Sequence, residues 1–526
     1  MAAVRHHAEG RTVALTQSDV VRALASPEAW HGQAVSLIET HTAYVFLVGD
    51  RAWKLKREVR YPYLDFSTPE RRRQMCEAEV RLNLRTAPGL YRGVSPVTVS
   101  AGGRVDVNGD GPPVDWVVEM VRFSQDALCD VLAARGQLPL AMMDRLAAEI
   151  SQFHAAAEPV FTQGGRMGMA WVIDENAEEG FGVLKDSLDQ RLMLSVTSRA
   201  RAWLDRVGDV LDERRAGGRV RHCHGDLHLG NIVLLDGRPV LFDGIEFNEA
   251  LACTDVLYDL AFLLMDLWRR QLVHHANVVW NTYLTLGGDI SGLGAMPLFL
   301  SCRAAVRAKI HATSGVLARD ADIRAERIDT ADAYLRLASA LLEPVSPTLV
   351  AVGGLSGAGK STAAQAIAPH LGMAPGAVVL RSDDVRKRLR GVSPLTRLGP
   401  DAYTPQENRR VYQALRDAAG EVLRHGYTVV VDASFLSSEE RAAVEAVARE
   451  HRAAFLGVWL EAPADVLLAR VRARTGDASD ADEHVVLDQL RAQPVDVAWP
   501  RLNAAVSVQA VERQLVARLE GAYRSQ

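Results

Sequence analysis

Residues 222–243 read HCHGDLHLGNIVLLDGRPVLFD. Two short apolar runs flank Asp236-Gly237, and the second run ends on Asp243. Asp-Gly between two such runs is a strong hairpin signal. A loop, a short strand, a tight turn and a returning strand would bring Asp226, Asn231 and Asp243 to one cleft. His224 is placed to brace the loop. Asp, Asn and His often do no more than cap turns, and for any one of these residues that is the simpler explanation. It does not account for H-G-D-x-x-x-x-N followed by a strand-terminal Asp at this distance.

The sequence before this stretch begins with strands and ends with helices. YVFLVGDRAWKLK (44–56) predicts a hairpin turning at Gly49-Asp50. A helix over roughly 69–86 is entered through STPE, and DWVVEMV (115–121) predicts a further strand. Long helical segments follow around 139–156 and 251–342. Strands first and helices later imply a small sheet-based lobe packed on a helical lobe.

Transfer of a phosphoryl group needs a residue to position the acceptor hydroxyl and ligands for magnesium. In the protein-kinase pattern an Asp takes the first role, and an Asn five residues on and a later Asp bind the metal. HGDLHLGN and the following LFDGIEF resemble the aminoglycoside phosphotransferase family, relatives of protein kinases that include choline kinases. The resemblance covers residues 1 to about 340 and is strongest at 220–260. It implies that Asp226 is the catalytic base and that Asn231 and Asp243 hold Mg²⁺. It also implies a lysine of the upstream hairpin on the ATP phosphates. Lys54 and Lys56 both fit, because they alternate onto one strand face. Lys56 is preferred, with Glu79 or Glu77 as its partner. VVEMVR (117–122), which contains Glu119, would be the hinge over adenine.

The pattern departs from protein kinases in two places. No GxGxxG precedes the hairpin and no activation segment follows, so a protein substrate is not implied. In this family later helices build the acceptor pocket. Here one reads SCRAAVRAKIHA, with Arg303 and Arg307 sharing a face and Lys309 nearby. A solvated or salt-bridged surface is the favoured explanation. The sharper one is that Arg303 and Arg307 select an anionic acceptor.

A second phosphate-holding motif lies further on. Residues 354–361, GLSGAGKS, fit GxxxxGK[ST], after a predicted strand and at the start of a predicted helix. Such a loop turns backbone N–H groups of Gly354, Ser356, Gly357, Ala358, Gly359 and Thr362 towards phosphate, and the helix N-terminus adds a favourable dipole. Lys360 would reach the β- and γ-phosphates and Ser361 would ligate Mg²⁺. Strands are predicted at 348–353, 377–381, 427–432, 453–460 and 504–508, alternating with helices. The helix starting at Pro405 has Thr404 as N-cap with Glu407 reaching back, and Ser437 and Glu440 can cap the next one the same way. This alternation implies a parallel sheet flanked by helices.

Three further signals narrow the chemistry. RSDDVRKRL offers Asp383 to orient or deprotonate an acceptor and Arg386 to bind it, although a helix cap with a basic face explains it equally well. TVVVDASF puts Asp432 at a strand end, where a carboxylate supports magnesium. ARVRARTGDASDAD places Arg470 and Arg474 on one helical face, as lid arginines that neutralise the transferring group. Residues 348–526 resemble the P-loop kinase group of gluconate kinases, the kinase half of polynucleotide kinases and zeta-type toxins. No AAA-type sensor arrangement is visible, so an oligomeric motor is not expected.

Composition sets the bounds. The 526 residues carry a net charge of −5, with 48% hydrophobic and 24% charged content, ordinary values for a globular chain. No apolar run approaches the ~18 residues of a membrane span, and MAAVRHHAEGRTVALTQSDV lacks a signal-peptide core. The five cysteines are scattered, with no CxxC pair, so a reducing cytoplasm is expected. Lysine is scarce beside arginine, which makes a retained lysine more telling. From 343 to 526 the basic and acidic residues are equal in number, 22 each, so the footprint of a nucleic-acid binder is missing.

The chain is therefore expected to be a multidomain α/β and α+β protein. Residues 1–342 would form a bilobal protein-kinase-like domain, 343–348 a Pro-containing linker and 349–526 a P-loop NTPase domain. Both halves would transfer phosphate from ATP to small hydroxyl-bearing acceptors. Two alternatives stand beside this: a polynucleotide or RNA kinase in the P-loop half, and one domain acting as a nucleotide-sensing regulator of the other.

Overall fold

The computed structural model describes residues 15–61, 64–474, 476–492 and 497–524. The first residues of the N-terminal stretch weighed above, 1–14, lie outside these. Contacts divide the chain into two compact units, one ending at Gln137 but including His224–Ala252, the other comprising Leu138–Cys223 and the chain from Cys253 on.

The first unit is built on a six-stranded antiparallel sheet. The hairpin forms as expected, from Ala43–Val48 and Arg51–Lys56, with Val45 opposite Lys54. The second hairpin strand also pairs with Pro113–Val121, Trp53 opposite Glu119. One face is filled by Trp30, Phe46, Trp53, Leu55, Val97 and Val117. Alternation puts Lys54 and Lys56 on the other face, under the helix Pro69–Asn83. That helix is capped by Thr68, whose Oγ1 accepts from Arg71 N. The stretch from His224 on joins the same unit as a separate hairpin, Ile232–Leu235 with Arg238–Leu241. Asp236 and Gly237 both have positive φ, 48° and 72°, the geometry that two-residue hairpins with matching twist require.

The second unit contains helices and a five-stranded, all-parallel sheet. The sheet has the strand order Val378–Arg381, Val429–Asp432, Thr348–Gly354, Ala454–Glu461, Arg501–Asn503. Four of the five predicted strands stand where the apolar runs placed them. The fifth is corrected: the strand is Arg501–Asn503, and 504–507 is irregular before the helix Val508–Arg524. Thr404 caps Pro405–Arg424 as expected, but the Glu407 carboxylate turns to Arg410 rather than back to the cap. Ser437 and Glu440 form the full capping box.

Residues 343–347 carry no regular structure, but they do not separate independent bodies. The helices before them pack in one unit with the P-loop sheet. Helix Val273–Gly287 lies along the edge strand of that sheet. Asn281 Oδ1 accepts from Val379 N at 2.7 Å, and its Nδ2 donates to Ala377 O at 3.1 Å. Asn277 Nδ2 donates to Pro375 O and Ala377 O at 3.0 and 3.1 Å. Two asparagine side chains thus satisfy edge-strand groups that would otherwise invite another strand. Gly376 is required there: at φ +100°, a Cβ would sit 2.6 Å from Asn277 Nδ2 and from Ala368 O.

Candidate active sites

The kinase-like constellation lies within the first unit. Asn231 and Asp243 stand at the open end of the 232–241 hairpin, tied by Phe242 N donating to Asn231 O at 3.0 Å. Asn231 Nδ2 donates to the Asp226 backbone O and to its Oδ2, both at 2.9 Å. The amide nitrogen is thus committed to Asp226, which leaves Oδ1 as the atom that can ligate a cation. His224 braces the loop as expected: Nε2 meets Phe242 O at 2.9 Å, and Ile245 N donates to His224 O. Asp243 has a positive φ of 62°, a conformation uncommon for a residue with a side chain. Two bonds hold that bend: Asp243 N to Tyr91 Oη at 3.2 Å and Gly244 N to Asn83 Oδ1 at 2.8 Å.

The two hairpin lysines part company in depth. Lys54 Nζ donates to Glu79 Oε1 at 2.9 Å and to Asp243 Oδ1 at 2.5 Å. Lys56 Nζ donates to Glu79 Oε2 at 2.6 Å and to Glu246, and lies 5.0 Å from the Phe66 ring centroid. Lys54 is 15% exposed and Lys56 2%. Asp243, on which Lys54 ends, is 40% exposed and opens to solvent. Glu79 is fully buried between both ammonium groups. Burial alone would raise its pKa, but the lysines hold it down at about 2. Burial pulls Lys54 down too, yet Asp243 and Glu79 leave it well above the usual lysine range. The preference for Lys56 therefore gives way to Lys54, because Lys56 is enclosed by two carboxylates and an aromatic ring. Glu77 is not the partner; it pairs with Arg73 on the outer face. Glu119 lies within its strand and its carboxylate meets Arg51 across the sheet, so that side chain is already engaged. Glu246, absent from the expectations, completes the lysine cluster.

In the helix carrying SCRAAVRAKIHA the basic side chains have partners within the protein. Arg303 is buried, with Nε donating to Tyr258 O at 3.1 Å and its guanidinium 3.9 Å over the Tyr258 ring and 4.7 Å from that of Phe262. Arg307 meets His311 at 3.3 Å, and Lys309 pairs with Glu175. The two arginines engage different partners. Arg303→Ala is expected to cost about 3 kcal/mol of stability, as breaking a buried ion pair does, because Asp259 lies 3.9 Å from Arg303 Nη2. Denaturant unfolding checks this; a normal midpoint with a raised KM would reinstate the acceptor role.

The P-loop constellation lines a cavity of about 750 Å³. Gly354 has φ +142° and a Cβ there would lie 2.6 Å from Leu460 O; at Gly357, φ +82°, it would lie 2.6 Å from Leu467 O. Gly359 is the N-cap of helix Lys360–Ile367. Lys360 is deep in the loop, donating to Leu355 O at 3.1 Å. Burial lowers its pKa, aided by Arg474 and Arg381 and opposed by Asp432 and Asp383. Ser361 Oγ donates to Asp432 Oδ2 at 2.5 Å. A hydroxyl and a carboxylate in contact at the end of a parallel strand form a hard-oxygen pair of the kind Mg²⁺ takes.

Asp383 faces the same cavity. Burial, then the Asp432 charge, raises its pKa above the ordinary carboxylate value. Arg386 stacks 4.5 Å over Tyr403 and donates to Ala402 O at 2.6 Å, and its buried Nε has no hydrogen-bond partner among the described residues. Arg470 is fixed beneath the loop, donating to Ala504 O at 2.8 Å and Gly357 O at 3.4 Å. Arg474 lines the cavity, its buried Nη1 without a hydrogen-bond partner among the described residues. Residues missed by sequence reasoning include Arg381, which lies between Asp432, Asp384 and Asp477, and Gln489, whose Oε1 accepts from Ser356 N at 2.7 Å. In the basic run at 386–390, Lys387 is buried on Asp480, Arg390 pairs with Asp401 and Arg388 is exposed.

Comparison with known proteins agrees with this geometry. Residues 128–289 match the model of the phosphotransferase enzyme family, and residues 349–494 match a model described as an AAA domain. The second match takes in Gly354–Ser361, Asp383, Asp432 and Arg474. An uncharacterised protein of Mycobacterium tuberculosis is 29% identical over 487 residues, covering 89% of this chain and 93% of its own. The adenylyl-sulfate kinase of Myxococcus xanthus is 33% identical over 118 residues, 22% of this chain and 59% of that enzyme. A gluconokinase from Sinorhizobium meliloti of known structure is 23% identical, with a TM-score of 0.25, covering 35% of this chain and 99% of its own. The chain thus joins a domain similar to the phosphotransferase enzyme family, matched over 128–289, to a P-loop domain, matched over 349–494.

Proposed function

We propose that the protein is a bifunctional phosphotransferase, with one kinase-like and one P-loop active site, each moving the γ-phosphate of ATP to a small hydroxyl-bearing acceptor. Functionally, the halves are 1–342 and 349–526, joined at 343–348. The observation that carries the reading is that each constellation has groups for phosphate, metal and acceptor together: Lys54, Asn231, Asp243 and Asp226 in one, Lys360, Ser361, Asp432 and Asp383 in the other.

In the kinase-like site, Lys54 neutralises phosphate oxygens and Glu79 fixes its ammonium. Asp226 orients the acceptor hydroxyl and takes its proton as the acceptor oxygen bonds to the γ-phosphorus and the bond from that phosphorus to the ADP oxygen breaks. Asn231 Oδ1 and the Asp243 carboxylate would hold Mg²⁺, which supplies charge neutralisation on the phosphates. In the P-loop site the backbone N–H groups cradle the β-phosphate, and Lys360 bridges towards the γ-phosphate. Ser361 and Asp432 would hold the second Mg²⁺. Asp383 accepts the proton of the second acceptor, Arg386 binds that acceptor, and Arg474 reaches the transferring group. Incubating the protein with ATP and a pooled set of sugars, amino sugars and nucleosides tests the reading. Phosphorylated products found by mass support it, and ATP loss without any product in an exhaustive pool counts against it.

Lys54→Met should lower kcat for the kinase-like product by about 10²–10³-fold with little change in Tm. Lys56→Met should instead lower stability by about 3 kcal/mol, since it leaves Glu246 buried without its cation and Glu79 with Lys54 alone. The reverse assignment of effects would return the phosphate role to Lys56.

The P-loop activity should also depend on pH through Asp383. A general base works only when ionised, so the rate falls as pH drops through its pKa. Because that pKa is raised, the acid limb should lie above the range of an ordinary aspartate. The lowered Lys360 brings the alkaline limb below that of an ordinary lysine. Asp383→Asn should cost about 10²–10⁴-fold in kcat, the usual worth of a general base, and remove the acid limb. An unmoved limb in that variant's pH–rate profile would rule Asp383 out.

A further inference from the structure

Three segments far apart in sequence place metal-binding atoms together, and none of the three residues concerned lines the P-loop cavity. His274 lies in the first turn of helix Val273–Gly287, His370 in the short turn after the P-loop helix, and Glu512 in the C-terminal helix. One ligand atom from each falls within 4.8 Å of the others. His370 Nε2 and Glu512 Oε1 are 3.5 Å apart, and the two imidazole rings stand at 77° with centroids 5.0 Å apart. A tetrahedral zinc site with ligands at about 2.0–2.1 Å has donor–donor edges near ~3.4 Å. One edge therefore already has the right length, and the others are no longer than 4.8 Å.

The surroundings hold this arrangement in place. His274, Asn277 and Asn281 are at i, i+3 and i+7 and share one helix face. The two asparagines are bonded to Pro375, Ala377 and Val379 on the P-loop side. Trp280 is fully buried in the same contact, 6.3 Å from the ring of Tyr427. The helix that carries His274 is thus fixed against the module that carries His370 and Glu512. His370 is 42% exposed and Glu512 25% exposed, so water can reach a fourth coordination position.

We propose that His274, His370 and Glu512 form a Zn²⁺ site that pins the Val273–Gly287 helix to the P-loop module. Two imidazoles and one carboxylate suit zinc; magnesium, which prefers all-oxygen shells, is the wrong ion for them. The site does not rest on either phosphotransfer reading.

The test uses the full chain, stripped with EDTA, desalted and kept in saturating Mg²⁺ so that hard-oxygen sites are filled. Co²⁺ is then titrated and followed by its visible absorption. One equivalent should bind with the intense band of a four-coordinate site, and Zn²⁺ should displace it and raise Tm. His370→Ala and Glu512→Gln should both lose that equivalent and the Tm response. Both side chains are partly exposed, so the variants should fold, and circular dichroism checks this. The buried trio His154, Cys223 and Asp259 is the other such cluster among the described residues. Retention of the full equivalent in both variants, or no stoichiometric binding by the wild type, would overturn the proposal.

Discussion

Asp226→Asn is expected to lower kcat for the kinase-like product by about 10³-fold, within the range of a lost general base, while the P-loop product forms at the wild-type rate. Asparagine keeps the size of the side chain and can still meet Asn231 Nδ2, so loop geometry should survive. Asp226 is 35% exposed, so stability should change little. What is removed is the ability to accept the acceptor's proton. Steady-state kinetics on each product separately, with Tm measured alongside, check the prediction. A loss confined to KM would mean that Asp226 binds the acceptor without taking its proton.

Lys360→Ala should be the mirror image, with the P-loop product falling by about 10³-fold or more, because a preorganised cation in a closed site is worth several kcal/mol to the transferring group. Kinase-like turnover should be unaffected. Removing this ammonium also takes away a charge that lowers the Asp383 pKa. Residual activity should therefore show an acid limb shifted further up. Measured ATP affinity separates two causes: a large rise in Kd means that Lys360 holds the ground state, and a fall in kcat alone means that it acts on the transferring phosphoryl group.

Much of this was legible in the sequence because backbone geometry demanded it. Gly354 and Gly357 sit where any side chain would strike a carbonyl oxygen, so a P-loop cannot be written without them. Asp226, Asn231 and Asp243 were readable because Asp236-Gly237 dictates a two-residue hairpin, and that hairpin sets which residues meet at its open end. Strand alternation correctly put Lys54 and Lys56 on one face. It carries no information on depth, so it could not tell the cleft lysine from the enclosed one. Arg303 and Arg307 share a helix face by spacing, yet neighbouring helices bury one on aromatic rings and leave the other on a histidine. AAVSV at 504–508 has strand-like composition, but the sheet's hydrogen bonds are already made by Arg501–Asn503. Glu246, Gln489 and the Asn277–Asn281 clamp were invisible because each acts only on a partner distant in sequence.

The central claim is that one chain carries two independent phosphotransfer sites. The most direct test supplies ATP and one acceptor pool to the wild type, Asp226→Asn and Lys360→Ala, and identifies phosphorylated products by mass. The account predicts two products in the wild type, with each variant losing a different one and keeping the other. Loss of the same product in both variants would contradict it and make one site the regulator of the other, or the two sites consecutive steps on a single acceptor.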